Sequence, residues 1–230
     1  MSNKSIGFCR NWRKVTDVSP KVKSEPRSVS SRDRILGVAI EKARQIGLEG
    51  LSIGVLAKEV GMSKAGLFAH FGSKEELQLA TLEAALGAFT QRVIIPAERT
   101  ERGLPRLLQV IGDWIAMAES ACDKGGCFFY SVSAEFDGRP GPLRDRLVLA
   151  SKQWLDWILR QVVLAKERGH LVAETDPEQL TFEIHAFEQQ ANWAALLVGQ
   201  KDAYERARQA VRARLYALAT EQGKAILDAR

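Results

Sequence analysis

Lys74 directly follows Ser73 and opens a predicted helix, where a lysine is electrostatically out of place. The helix dipole puts partial positive charge at the N-terminus, so a cation there is disfavoured. The placement is explained if an anion docks on the free backbone N–H groups of that first turn, as phosphate does, with the ammonium adding attraction. It is equally the placement of a solvated lysine that costs only tenths of a kcal/mol. Elsewhere the residue types of catalysis are scattered. His70, His170 and His185 have no metal-ligand spacing. Cys9, Cys122 and Cys127 are too few and too badly spaced for a disulfide framework or a zinc site. No phosphate-binding Gly-Lys-Ser/Thr loop, Gly-x-Ser-x-Gly elbow or dinucleotide fingerprint occurs. Cys122 and Cys127 lie near a predicted turn, which admits a thiol switch but more simply two incidental thiols. No catalytic residue, cofactor or metal is expected.

The composition points the same way. Of 230 residues, 46% are hydrophobic and 27% charged, which suits a globular protein and excludes wholesale disorder. The longest apolar run, Trp193 to Gly199, is too short to cross a bilayer, and basic residues at the N-terminus have no apolar segment behind them. A reducing, cytoplasmic compartment and no membrane partner are therefore expected. Net charge is +5 and is unevenly spread: residues 1–30 carry +5, residues 31–75 carry +2 and the remainder −2. A basic front on a slightly acidic body suits a polyanion, although a short solvated tail has the same signature. The Ser, Pro and Lys content of residues 1–30 predicts a disordered basic tail.

From Ser30 the pattern becomes helical. Ser30 and Asp33 make a helix start, Ile35, Ala39, Ala43 and Ile46 line one face, and Gly47 stops it. A second helix begins after Ser52, turns Ile53, Leu56, Ala57 and Val60 inward, and ends at Gly61, where the chain can take a positive φ. Ser63 caps a third helix that buries Leu67 and Phe71 and leaves Lys64, Ala65, Phe68 and His70 outward. Gly72 ends it, and Ser73 with Glu76 forms a capping box for a long fourth helix. Two short helices around a tight glycine turn make a helix-turn-helix, whose second helix can enter the DNA major groove.

The run from Leu51 to Leu77, with Gly61-Met62-Ser63-Lys64 at its turn and Phe71-Gly72-Ser73-Lys74-Glu75-Glu76-Leu77 at its end, closely resembles the DNA-binding signature of TetR-family transcriptional regulators. The resemblance covers about residues 32–80. It implies an all-α fold, with a three-helix DNA-binding domain over residues 31–76, a larger helical ligand-binding and dimerisation domain over residues 77–230, and about nine helices in total. The family's DNA-contacting positions fall on Ser52, Ser63, Lys64, Ala65, Gly66, Phe68, His70 and Lys74. Two departures matter. Phe68 replaces a usual tyrosine and so lacks a phosphate-binding hydroxyl, though its ring can pack on sugar or a thymine methyl. Gly66 replaces a usual Thr or Ser and costs the helix about 0.5–1 kcal/mol.

Further on, the predicted helices are 74–95 (ended by Pro96), 104–120, 126–136, 142–169, 177–199 and 202–222. Pro140-Gly141-Pro142 and Asp176-Pro177 mark the breaks. The segment Gly126–Asp176, with Cys127, Ala134-Glu135-Phe136-Asp137 and Pro140 to Asp145, resembles the C-terminal domain of one branch of the same family more loosely. Small residues recur at Ala191, Ala195 and Gly199 and at Ala203, Ala207 and Ala210. Such stripes let helices approach closely, within the chain or between copies. Because the family pairs its last two helices in a homodimer, Phe187, Ala191, Ala195, Gly199, Ala207 and Leu215 are the expected dimer contacts. Trp114, Phe129, Trp157 and Trp193, with His185 and Gln189 as polar orienters, are the expected ligand pocket, aromatic area serving a cavity or a plain core alike.

The function expected is a homodimeric DNA-binding regulator, a repressor released from a palindromic double-stranded operator by a small-molecule effector. The alternatives are a DNA-binding protein without such an effector, and an all-α enzyme or adaptor that merely carries a helix-turn-helix.

Overall fold

The computed structural model describes residues 30–229, so the expected basic tail lies, apart from Ser30, outside the described residues. Helix α1 spans Ser31–Ile46 and buries Ile35, Ala39 and Ala43 as the spacing predicts. Ile46 does not join them. It is 41% exposed, because the chain turns at Gly47 and Leu48 and Leu51 fill that end of the core instead. Helix α2 (Ile53–Val60) and helix α3 (Lys64–Phe71) come next, joined by Gly61-Met62-Ser63. Gly61 takes φ 68°, and its N–H and that of Met62 both return to the Ala57 carbonyl, which closes the turn.

Helix α4 (Lys74–Phe89) starts at a serine cap, with Ser73 Oγ accepting the Glu76 N–H at 3.1 Å. The reciprocal half of the expected capping box is replaced, since the Ser73 N–H donates to Phe71 O at 2.7 Å. Nor does Pro96 end this helix. The chain widens into a π turn over Thr90–Ile94, with the Ile95 N–H reaching back to Thr90 O, and resumes as an α turn over Ile95–Glu98. Pro96 thereby sits at the start of a fresh turn, where its missing N–H is not needed.

The remaining helices are α5 (Leu104–Glu119), α6 (Phe128–Phe136), α7 (Pro142–Glu167), α8 (Pro177–Trp193, prolonged by a π turn over Ala194–Val198), α9 (Ala203–Leu218) and α10 (Glu221–Asp228). The described residues thus hold ten helices rather than nine. The span expected as one helix over 202–222 breaks at Ala219, because Thr220 caps a new helix by accepting the Gly223 N–H at 3.2 Å. The break is held by backbone pairing: Val172 N–H donates to Leu218 O at 2.9 Å, beside an isolated bridge between Leu171 and Ala219. No strand occurs among the described residues, and no described helix is long and apolar enough to cross a membrane.

One apolar cluster runs unbroken from the first three helices into the body. Ile35, Leu36, Ala39, Leu48, Leu56, Leu67 and Phe71 pack with Leu77 and Leu82 of α4 and with Phe128, Val132 and Phe136 of α6. Each such side chain, fully buried, stabilises the fold by about 1.5–3 kcal/mol. Helices α8 and α9 pack along their lengths. The small-residue stripes serve that packing in part: Ala191, Ala207 and Leu215 are buried within one chain, at 4%, 4% and 0% exposure, and so are closed to a second copy. Phe187 and Ala195 are half-buried and Gly199 is exposed.

Between α8 and α9 the interior turns polar. Asn192 Oδ1 accepts the Cys127 N–H at 2.9 Å and the Tyr204 hydroxyl at 3.1 Å. One turn earlier on α8, Glu188 is 1% exposed, and neither carboxylate oxygen has a hydrogen-bond partner among the described residues. Burial therefore pushes its acid up to about 8, and the proton is retained at neutral pH. Burial, with Glu188 nearby, also pushes the Cys127 thiol up to about 12, which leaves little thiolate for redox chemistry.

Glu188 titrates higher folded than unfolded, so the pH-dependent cost of its burial is absent below about pH 4.5 and grows as pH rises toward 8. Glu188→Gln accordingly unfolds at nearly the parent temperature at pH 5, and its advantage in thermal denaturation widens to about 4 °C or more by pH 8.5. Parallel pH profiles for the two proteins would refute a buried proton at this position.

Candidate nucleic-acid interface

Serine caps open the three helices that come next after α1, namely α2, α3 and α4. Ser52 Oγ accepts the Val55 N–H at 3.2 Å, Ser63 Oγ accepts the Gly66 N–H at 3.0 Å, and Ser73 caps α4. In each case the hydroxyl oxygen is used as an acceptor, which leaves the O–H as a donor toward solvent or an anion. The start of α2 and the outward face of α3 border a shallow, open hollow of about 660 Å³, lined by Ser52, Ile53, Gly54, Lys64, Ala65 and Phe68. Four of the eight expected contact residues therefore converge on one concavity. Ser63, Gly66, His70 and Lys74 lie outside its lining.

The hollow is made by what α3 buries. Leu67 and Phe71 are drawn into the core, which fixes the helix rotation and forces Lys64, Ala65 and Phe68 outward. Phe68 is 55% exposed. The Lys64 stem lies across the first turn of α2, where a Cβ on Gly54 would meet its Cε at 3.4 Å. Gly54 was not singled out from the sequence, and Ile53 was expected only as an inward residue of α2. The signal was a glycine in the first turn of a helix facing a lysine.

Lys74 is not free. Its ammonium lies 2.6 Å from Glu49 Oε1, and that hydrogen bond, the largest influence, holds the Glu49 carboxyl below its ordinary range. The neighbouring Leu48 carbonyl accepts from Gln78 Nε2 at 2.8 Å. This internal partner is a further reason for a lysine in the first turn of α4. Both groups are more than two-fifths exposed, so the pair is worth at most about 1 kcal/mol and a phosphate can compete for the ammonium.

Within the body, edge-to-face rings link Phe129 to Phe89 (5.6 Å), Phe89 to Trp154 (5.0 Å) and Trp154 to Trp114 (4.9 Å). Trp157 stacks on Trp154 at 6.3 Å, and His185 lies 5.5 Å from Trp114. Gln189 Nε2 stands 3.3 Å from His185 Nε2, and burial lowers the imidazole's affinity for a proton. Five of the six expected pocket residues therefore belong to one neighbourhood, joined through Phe89 and Trp154. Trp193 does not. It is 40% exposed, because the inward side of α8 at that turn is taken by Asn192 and Ala194. Among the described residues no group of three His, Cys, Asp or Glu is placed to hold a metal ion.

Comparison with known proteins fits this geometry. Residues 35–81 match the family model described as bacterial regulatory proteins, tetR family, and residues 103–211 match that of the tetracyclin repressor-like C-terminal domain. No curated protein matches the sequence. Among solved structures, a TetR transcriptional regulator from Chloroflexus aurantiacus J-10-FL superposes with a TM-score of 0.73 at 23% identity, over 82% of this chain and 95% of that one. A TetR-family regulator from Cytophaga hutchinsonii does so with a TM-score of 0.72 at 17% identity, over 85% and 100%. AibR, solved in complex with isovaleryl coenzyme A and operator DNA, gives 0.63 at 21% identity, over 82% and 98%. Two models of one family over residues 35–81 and 103–211, with a fold shared by solved regulators over more than four-fifths of the chain, lead to one conclusion: the protein is a member of the TetR family of DNA-binding transcriptional regulators.

Proposed function

We propose that the protein is a homodimeric repressor that lays α3 in the major groove of each half of a palindromic operator and leaves the DNA when a small molecule occupies the body. The observation that carries the DNA reading is the hollow formed by Ser52, Lys64, Ala65 and Phe68. Its serine hydroxyl suits phosphate, its lysine suits phosphate or a base edge, and the Phe68 ring suits sugar or a thymine methyl. Ser63 and Lys74 add phosphate contacts at the neighbouring helix starts, with Gly66 and His70 alongside. Few side chains reach base edges, so Lys64 bears most of the readout.

The dimer reading shifts outward from the stripes expected from the sequence. Phe182, Trp193, Leu197 and Val198 on α8 and Tyr216 on α9 are exposed at 69%, 40%, 72%, 60% and 41%. An exposed apolar face of this extent is costly in a monomer and is what a second copy covers. Gly199 and the half-buried Phe187 and Ala195 border it.

The effector reading rests on the aromatic neighbourhood of Trp114, Phe129 and Trp157, with His185 and Gln189 to orient a polar group. It also rests on the likeness to AibR, whose structure holds isovaleryl coenzyme A together with DNA. Release occurs only if the effector binds more tightly to a geometry in which the two recognition helices no longer match successive grooves, about 34–36 Å apart.

Three outcomes are expected. Selection from a random duplex pool returns a palindromic consensus; Lys64→Ala weakens it about tenfold, and Lys74→Ala lowers the salt slope of binding by about one. A pool returning no consensus rejects the regulator reading. In sedimentation the parent runs as a dimer at micromolar concentration and Phe182→Glu with Leu197→Glu as a monomer, whereas a monomeric parent sinks the dimer. Anilinonaphthalene sulfonate, an apolar probe, quenches tryptophan emission saturably and less so in Trp114→Phe. Linear, unsaturable quenching would favour a regulator without a small-molecule effector.

A further inference from the structure

The turn after α1 is held from a distance. Glu135, on the last turn of α6, extends its carboxylate so that Oε2 accepts the Leu48 N–H at 2.7 Å and Oε1 accepts the Glu49 N–H at 3.0 Å. These backbone groups lie 87 and 86 residues earlier in the chain. Gly47 makes the approach possible: it has φ 76°, and a Cβ there would stand 2.6 Å from Glu135 Oε1. The same three-residue turn touches the DNA-binding side as well. The Leu48 carbonyl accepts from Gln78 of α4, and the Glu49 carboxylate holds Lys74 at the start of α4.

We propose that Glu135 is the positioning residue through which the body sets the helix-turn-helix on DNA. Its two charge-assisted bonds fix the 47–49 turn, and with it the angle at which the helix-turn-helix stands to α6. The apolar contacts of Phe128, Val132 and Phe136 keep α6 against the first helices but are non-directional. The bidentate carboxylate supplies direction, since a small rotation of α6 breaks one bond before the other. This inference rests on the DNA-binding reading above.

Glu135→Gln preserves the side-chain shape but sets an amide NH2 against a backbone N–H, and Glu135→Ala removes both acceptors. In the full-length protein, both variants lower affinity for the selected operator about tenfold while affinity for a non-specific duplex of equal length, and its salt slope, stay at the parent's. Only alignment of the two half-sites is lost. Operator affinity unchanged in both variants overturns the proposal. So does a parallel fall in specific and non-specific binding, which marks a damaged helix-turn-helix. If the parent selects no operator, the DNA reading fails, and the clasp is judged by amide exchange at Leu48 and Glu49. At least tenfold faster exchange in Glu135→Gln supports it, and equal exchange overturns it.

Discussion

Leu48 has no exposed surface, and its backbone is bonded on both sides, by Glu135 through the N–H and by Gln78 through the carbonyl. A buried turn must satisfy its polar backbone somewhere, at a cost of about 1–3 kcal/mol for each group left unpaired. Here α6 supplies the partner of the N–H and α4 one partner of the carbonyl, which also accepts the Leu51 N–H at 3.2 Å. The first three helices thus share their core and their turn with the body. Their core includes α6 side chains, and the turn after α1 is completed by residues 87 and 30 positions further along the chain. Everything presented to DNA inherits its placement from this shared core.

That dependence makes sense of the interface chemistry. Leu67 and Phe71 orient α3 by burial, and three serines cap the helix starts. The outward Lys64, Ala65 and Phe68 can therefore be exchanged at little cost in stability. Lys74 differs, because its pairing with Glu49 ties it to the clasped turn.

How legible this was depended on range. The helix-turn-helix could be read from neighbours three and four apart: Ser63 with Gly66, Leu67 with Phe71, Gly61 at the turn. Helix ends were read well where a cap decides them, as at Asp176, and poorly where competition decides them. Ile46 lost its core place to Leu48, and the end of α9 was set by Thr220 and by pairing with Val172, nearly fifty residues away. Glu135 carried no local signal of its partners. The small-residue stripes misled for a different reason. Ala191 and Ala207 look the same in sequence whether the helix they admit belongs to the same chain or another. Trp193 was placed by composition alone, and nothing in its spacing distinguished inside from outside.

The π turn at the end of α8 bears on how that end is specified. A π turn accommodates one more residue than the α-helix would, and the chain beyond it is rotated by about 100° from where an uninterrupted α-helix would put it. Leu196, Leu197 and Val198, three successive apolar residues, are exposed together, a pattern that no regular α-helix seated on a core would choose for its apolar face. Their outward aim is a property of residue number, not of residue type. Loss of a single position between Ala194 and Val198 would restore regular winding and swing the end of the helix by more than a quarter turn, with every side chain unchanged. For this part of the surface the length of the chain carries information that a substitution-by-substitution view of the sequence does not contain.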